Sequence, residues 1–355
     1  MNHQESSFDI LDCTLRDGSY VNDFQFTAED TKIISKALED TGFNYIEIGH
    51  GVGLGASENT SNVAAATDLD YMKAAHDSLT KAKWGMFCIP GIASLDHLSL
   101  AADQGMQFVR IGVNVTEVEK SKDFIQKAKT LGMEVCTNFM KSYVLDPLNF
   151  SKQAQISLDF GSDYVYLVDS AGSMLPSEVS EYIKRTLDLC EGIKLGYHGH
   201  DNLGLSVANS LISVQLGAKL IDTSLQGYGR SAGNTSTEQF LSAIIRSGYS
   251  IDLDPLEVMH AGEKYIRPLI LKKGISSLDT VSGQAQFHSS YMPLILKFAK
   301  KNRIDPRALI VELCKINKVD APEELVSKIA KQISRSNPSS GDLFVDNYFG
   351  EEQNL

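Results

Sequence analysis

The sequence predicts a (β/α)8 TIM barrel followed by a smaller helical C-terminal region. Three observations carry this. A helical stretch ending in glycine, followed by a short β-rich apolar run, keeps returning along the first 250 or so residues. The first run is followed by DCTLRDGSY, which is not the glycine-rich phosphate turn of a doubly wound sheet. Beyond about residue 250 the alternation stops and amphipathic helical segments take over.

The recurring units are DTGFNYIEIG, DQGMQFVRIGV, TLGMEVCTNF, DFGSDYVYLVDS and QLGAKLIDTSL. Glycine stops a helix because it enters the left-handed conformation without a Cβ clash. The runs after it are rich in β-branched and aromatic residues, as suits parallel strands buried on both faces. Strands are expected near residues 8–13, 44–49, 84–89, 108–114, 134–140, 163–169, 194–200 and 220–225. Between them, TAEDTKIISKALEDTG opens with Thr27 and two acids, then places Ile33, Ile34 and Leu38 at helical spacing. TEVEKSKDFIQKAKTLG and PSEVSEYIKRTLDLCEG read the same way.

The expected division is a catalytic barrel over residues 1–250, a helical region over 251–335 and a tail over 336–355. The helical region contains PLEVMHAGEKYIRPLILKK, SSYMPLILKFAKKN, PRALIVELCKINK and PEELVSKIAKQI. Phe344, Tyr348 and Phe349 are the tail's candidates for docking.

Composition narrows the function classes. A hydrophobic fraction of 43% and a charged fraction of 22% are those of an ordinary globular chain. A net charge of -12 repels phosphate backbones, so nucleic acid is not an expected partner. The N-terminus lacks the pattern of a signal peptide, and no stretch approaches 18 apolar residues, so a cytoplasmic protein without a membrane span is expected. The 5 cysteines are scattered and form no C-x-x-C pair, which reads as reduced, buried thiols rather than a zinc site.

Chemistry in such a barrel sits at the C-terminal ends of the strands. There the sequence puts Asp12, Thr14, Arg16 and Asp17, then Glu47 and His50, then Asp169 and Ser170, then His198 and His200, then Asn234 and Glu238. Strand residues two apart point the same way, so His198 and His200 converge near the barrel mouth. A carboxylate from Asp17 or Asp12 can join them, and two imidazoles with one carboxylate suit Mn²⁺, Mg²⁺ or Zn²⁺. Several residues also have plainer readings. Asp169 and Ser170 serve equally as helix caps, Glu47 as a partner of Arg16, and Arg110 as part of a structural ion pair. His260 and His288 lie in helical stretches and read as packing or surface residues.

DCTLRDGSY, YIEIGHG, HGHDNLGLSVANS and GYGRSAGNTSTE resemble the metal-dependent barrel aldolases and lyases. That superfamily holds 3-hydroxy-3-methylglutaryl-CoA lyase, isopropylmalate synthase and 4-hydroxy-2-oxovalerate aldolase, and the resemblance is strongest to the last group, over about residues 8–333. It implies a pyruvate aldolase that cleaves or forms 4-hydroxy-2-oxo acids through an enolate. It implies Asp17, His198 and His200 as metal ligands with Asn234 near the metal, and Mn²⁺ as the usual ion, with Mg²⁺, Co²⁺ or Zn²⁺ as alternatives. Arg16 would stabilise the enolate oxygen, Glu47 would hold Arg16, and Ser170 would lie near the keto acid. The same resemblance implies a 2-keto acid and an aldehyde as ligands, and an acylating aldehyde dehydrogenase as partner through the helices near 288–333. A homodimer is expected from an exposed apolar helical face.

Two positions depart from the aldolase pattern. Tyr20 stands where those enzymes carry the histidine base, and a phenol with an ordinary pKa of about 10 is a poor base near neutrality. Water or His50 would then take the proton, unless the phenol is acidified. Gln284 stands near the position of a tyrosine beside the substrate entrance, so the substrate pocket is expected to differ. Two other functions fit the motifs: an acyl-CoA-dependent Claisen synthase or lyase, and a non-catalytic subunit that binds a partner.

Overall fold

In the computed structural model, residues 4–5, 8–57, 63–271 and 276–333 are described. The expected tail over 336–355, with Phe344, Tyr348 and Phe349, lies outside them.

Eight parallel strands close a barrel. They are β1 (Asp9–Asp12), β2 (Tyr45–Ile48), β3 (Lys83–Cys88), β4 (Phe108–Asn114), β5 (Glu134–Met140), β6 (Tyr164–Asp169), β7 (Leu195–Gly199) and β8 (Leu220–Thr223). Closure comes from β1 against β8, with Leu11 opposite Asp222 and Asp12 opposite Thr223. A short parallel pair of Gln4–Glu5 with Tyr249–Ser250 lies outside the barrel.

Helices α1 (Ala28–Asp40), α2 (Asp68–Ser78), α3 (Leu95–Asp103), α4 (Lys122–Thr130), α5 (Pro147–Phe160), α6 (Pro176–Leu189), α7 (Ser206–Gln215) and α8 (Thr237–Arg246) follow the strands in turn. Thr27 caps α1 in a capping box with Asp30, whose carboxylate accepts from the Thr27 N–H at 2.8 Å. The five glycines of the recurring units, Gly42, Gly105, Gly132, Gly161 and Gly217, all take positive φ between 80° and 111°. Each turns the chain from a helix into the next strand.

The outward strand residues pack with the helices into the main core, where Ile46, Val109, Val135, Val165 and Ile221 are fully buried. The barrel interior is filled by Leu11, Phe108, Tyr166 and Leu220 among others. Gly196 faces inward because the Tyr166 ring stands 2.5 Å from where its Cβ would be.

After α8 come α9 (Pro255–Ala261), α10 (Ser277–Ala285), α11 (Met292–Asn302), α12 (Pro306–Cys314) and α13 (Glu323–Gln332). The last four build their own core around Met292, Ile295, Leu309 and Val326. They lie against the mouth of the barrel, where Asn202 donates to the Asp279 carbonyl at 3.0 Å. All five cysteines are buried and free. Among the described residues, no helix is long and apolar enough to cross a membrane.

Candidate active site

β7 turns Gly196 and His198 inward, and His200 follows on the same side. The two imidazoles lie 5.1 Å apart at 81°. Gly199 between them is required by packing, since the Tyr197 hydroxyl stands 2.6 Å from where its Cβ would be. His198 Nδ1 donates to Asp222 Oδ2 at 2.8 Å, so its Nε2 carries the lone pair. His200 Nδ1 donates to the Gly233 carbonyl at 3.3 Å, and its Nε2 accepts from Arg230 at 2.9 Å. Burial first, then Arg230, keep His200 well below the ordinary imidazole range, and therefore neutral.

Asp17 ends a one-turn helix, Thr14–Asp17, that directly follows β1. It brings a carboxylate oxygen to the two histidines, so that the three donor atoms lie within 4.8 Å of one another, all on buried residues. Asp17 Oδ2 and Asn234 Oδ1 are buried acceptors without a hydrogen-bond partner. Leaving such atoms bare is costly, and a cation resolves the cost. Two neutral imidazoles, a carboxylate and a nearby amide oxygen fit a divalent metal, which would take His200 Nε2 in place of the Arg230 N–H. Burial opposes the charge on Asp17, but Arg16 and the histidines hold its carboxyl well below the usual range. Asp12, the alternative carboxylate, is already engaged: it accepts from Thr14 N–H at 2.9 Å and from Thr14 Oγ1 at 2.8 Å.

A buried ion chain supports this cluster. Arg16 donates from NH1 to Asp17 Oδ1 at 2.6 Å and from Nε to Glu47 Oε2 at 2.8 Å. The same Glu47 oxygen accepts from Arg110 at 2.6 Å. Arg110 also donates to Asp222, which returns to His198. Arg110 is thus the structural ion pair that was one of its two readings. Glu47 is not among the residues lining the pocket beside Arg16 and reaches it only through its contact with Arg16. Among the described residues the second terminal nitrogen of Arg16 has no acceptor, and Arg16 lines the pocket.

That pocket, about 50 Å³, is bounded by Arg16, Asp17, His198, Tyr20, Ser170 and Asn138, with Arg230 and His288 closing it. The Tyr20 ring packs edge-on against Phe24 and lies under the Arg230 guanidinium. Ser170 Oγ accepts from the Lys141 N–H at 3.0 Å, and the neighbouring Asp169 caps Ser173 and Met174. His50 is buried outside the pocket, stacked on Phe24 with ring centroids 4.0 Å apart. Gln284 is exposed and lines none of the described cavities.

Of the two readings of His288, packing holds and surface does not, and the residue also lines the pocket. It begins a short turn before α11 and is buried, with Ser290 Oγ 2.7 Å from Nδ1 and Arg230 3.4 Å from Nε2. The Ser290 backbone N–H donates to Nδ1 at 3.3 Å, so donors face the imidazole on both sides. Burial first, then Arg230 and Lys141, keep this imidazole neutral. His260, by contrast, is exposed.

Sequence reasoning missed three residues here. Asp222 could have been found as an acid inside the apolar run LIDTS. Arg230 lies inside GYGRSAGNTSTE and was not singled out. Nothing local marks His288, because helical periodicity says nothing about what a helix covers.

The HMGL-like family model matches residues 7–264. A 4-hydroxy-2-oxovalerate aldolase of Bacillus thuringiensis (strain Al Hakam) is 35% identical over 327 residues, covering 92% of this chain and 96% of that protein. One from Pelotomaculum thermopropionicum is 35% identical over 331 residues, with the same shares covered. Among solved structures, the HMG-CoA lyase of Brucella melitensis superposes with a TM-score of 0.64 at 18% identity, over 74% of this chain and 98% of that one.

Proposed function

Because this chain belongs to the HMGL-like family, we propose that it is a divalent-metal-dependent pyruvate aldolase that cleaves or forms 4-hydroxy-2-oxo acids. Its relatives named as aldolases over most of the chain make it a carbon–carbon lyase. The observation that carries the finer reading is the meeting of the Asp17, His198 and His200 donor atoms, two of whose residues, Asp17 and His198, line one pocket with Arg16.

Asp17, His198 and His200 would hold the metal, with Asn234 beside it, and Mn²⁺ is the ion we propose. The metal would supply Lewis-acid charge to the 2-keto group. Arg16 aims its remaining N–H groups at the oxygen where negative charge grows as the bond between C3 and C4 breaks. Glu47 fixes the plane of that guanidinium from below. Ser170 and Asn138 offer polar contacts to the keto acid at the pocket wall. The 4-hydroxyl must lose a proton during cleavage. Tyr20 and His288 both face the pocket, and we assign the proton to His288, whose imidazole lines the pocket and starts neutral. Tyr20 then shapes the pocket, and His50 lies outside it, stacked on Phe24 and accepting from the Val52 N–H at 3.1 Å.

The test is pyruvate release from 4-hydroxy-2-oxopentanoate. Release with Mn²⁺, its loss on chelation and its loss in His200→Ala are expected. A metal-bound protein that releases no pyruvate from any 4-hydroxy-2-oxo acid would sink the reading. We also propose a homodimer and an acylating aldehyde dehydrogenase partner on α11–α13; sedimentation of the chain alone and with such an enzyme decides both.

A further inference from the structure

A second, larger cavity of about 570 Å³ opens between the C-terminal ends of β4 and β5 and the start of α11. It shares Ile89, Met140 and His288 with the inner pocket, so a molecule can span both.

Lys141 lines this outer cavity immediately after β5. Only 5% of it is exposed. Its backbone is left-handed, with φ of 58°, which swings the side chain toward the C-terminal helices. The ammonium donates to the Tyr291 hydroxyl at 2.9 Å and to the Val319 carbonyl at 2.6 Å. Both acceptors are neutral, and an ammonium has three donors. No described carboxylate lies within ion-pair distance of it. The other lysines at this cavity already have acids: Lys120 pairs with Glu117 at 2.6 Å and Lys297 with Glu323 at 2.9 Å. Lys141 is therefore a buried cation at the cavity wall that touches no carboxylate: Asp320 and Glu117 act on it only from a distance, and its third N–H is left for an anion. Burial lowers it to about 8, which leaves it mostly protonated at neutral pH.

We infer that the outer cavity is the subsite for an anionic acceptor, an aldehyde whose far end carries a carboxylate or phosphate held by Lys141 while its carbonyl reaches the inner pocket. This deepens the aldolase reading and rests on it. The reaction is unchanged and redox-neutral. In the synthetic direction pyruvate's methyl group loses a proton, the bond between C3 and C4 forms, and the aldehyde oxygen gains a proton. The anionic group stays intact and serves only for binding. A short neutral aldehyde would leave the cavity mostly empty and Lys141 unanswered.

The experiment compares aldehyde pairs matched in length, with the full chain, Mn²⁺ and pyruvate. Succinic semialdehyde is set against butanal, and glyceraldehyde 3-phosphate against glyceraldehyde. We expect kcat/KM to favour the anionic member of one pair about tenfold or more, with the winning pair telling carboxylate from phosphate. K141M should collapse that ratio about tenfold. Should K141M not fold, Y291F, which removes one anchor of the ammonium, should lower the ratio severalfold. Ratios near one in the wild type, or ratios that K141M leaves intact, overturn the inference. If no aldehyde is consumed at all, it is the aldolase reading that fails. Calorimetry with glutarate and with glycerol phosphate then decides the subsite: binding that K141M removes supports it, and no binding by the wild type overturns it.

Discussion

Asp222 Oδ2 lies 2.8 Å from His198 Nδ1, and the same oxygen accepts from Arg110. One carboxylate at the end of β8 thus fixes which nitrogen of His198 can meet a metal. Burial opposes its charge, but Arg110 and His198 hold it below the usual carboxylate range. An amide in its place would donate as readily as accept and would release the tautomer. Asp222→Asn is expected to weaken metal binding by about 10–100-fold. Calorimetric titration with Mn²⁺ reads this directly, without reference to turnover.

Arg16 is gripped on two sides, by Asp17 and by Glu47, and offers only its third nitrogen to a ligand. Arg16→Ala should lower kcat by about 10²–10³-fold while the chain still binds metal. Glu47→Gln should cost less, since it loosens the guanidinium without removing it. Equal losses in the two variants would show that Glu47 does more than hold Arg16.

His288 and Tyr20 compete for the role of proton acceptor, and their variants should differ. His288→Gln is expected to lower kcat for cleavage by about 10²–10⁴-fold, and Tyr20→Phe by less than about tenfold. The reverse order would return the role to the phenol.

Asp12 gives a test of stability against pH. Burial pushes its carboxyl up to about 7 from an ordinary 3.8, although Thr14 hydrogen bonds pull the other way. The folded state therefore holds this proton more tightly than the unfolded chain. Its stabilising contribution is present at low pH and is lost as pH rises from about 4 through about 7. Asp12→Asn is isosteric and stays neutral: its amide oxygen keeps the Thr14 N–H contact, and its nitrogen can donate to the Thr14 hydroxyl. In metal-free denaturation between pH 5 and pH 8, the stability difference should shift by about 1–3 kcal/mol in favour of Asp12→Asn. A difference that does not change with pH would mean that Asp12 is ionised in the fold.

Much of the barrel was legible because its signals are local. Strands buried on both faces must be apolar along their length, and helices feeding a parallel strand must stop sharply, which Gly42, Gly105, Gly132, Gly161 and Gly217 do. The convergence of His198 and His200 follows from strand parity alone. The choice between Asp17 and Asp12 did not, because it depends on the one-turn helix after β1 that carries Asp17 inward while Asp12 turns to Thr14. The turn that delivers His288 was illegible for a different reason. Its place is set by packing between α10–α13 and the barrel mouth, with Arg230 donating to Ser289 at 2.9 Å. No periodicity encodes such a contact.

That contact bears on how the protein comes into being. Arg16 leaves the ribosome among the first residues, and His288 follows only after the whole barrel has been made. A chain that stops short of these helices would carry Asp17, His198 and His200 yet lack the wall of the pocket that His288 forms. If His288 takes the proposed proton, the pocket is complete for chemistry only once the last helices settle onto the barrel.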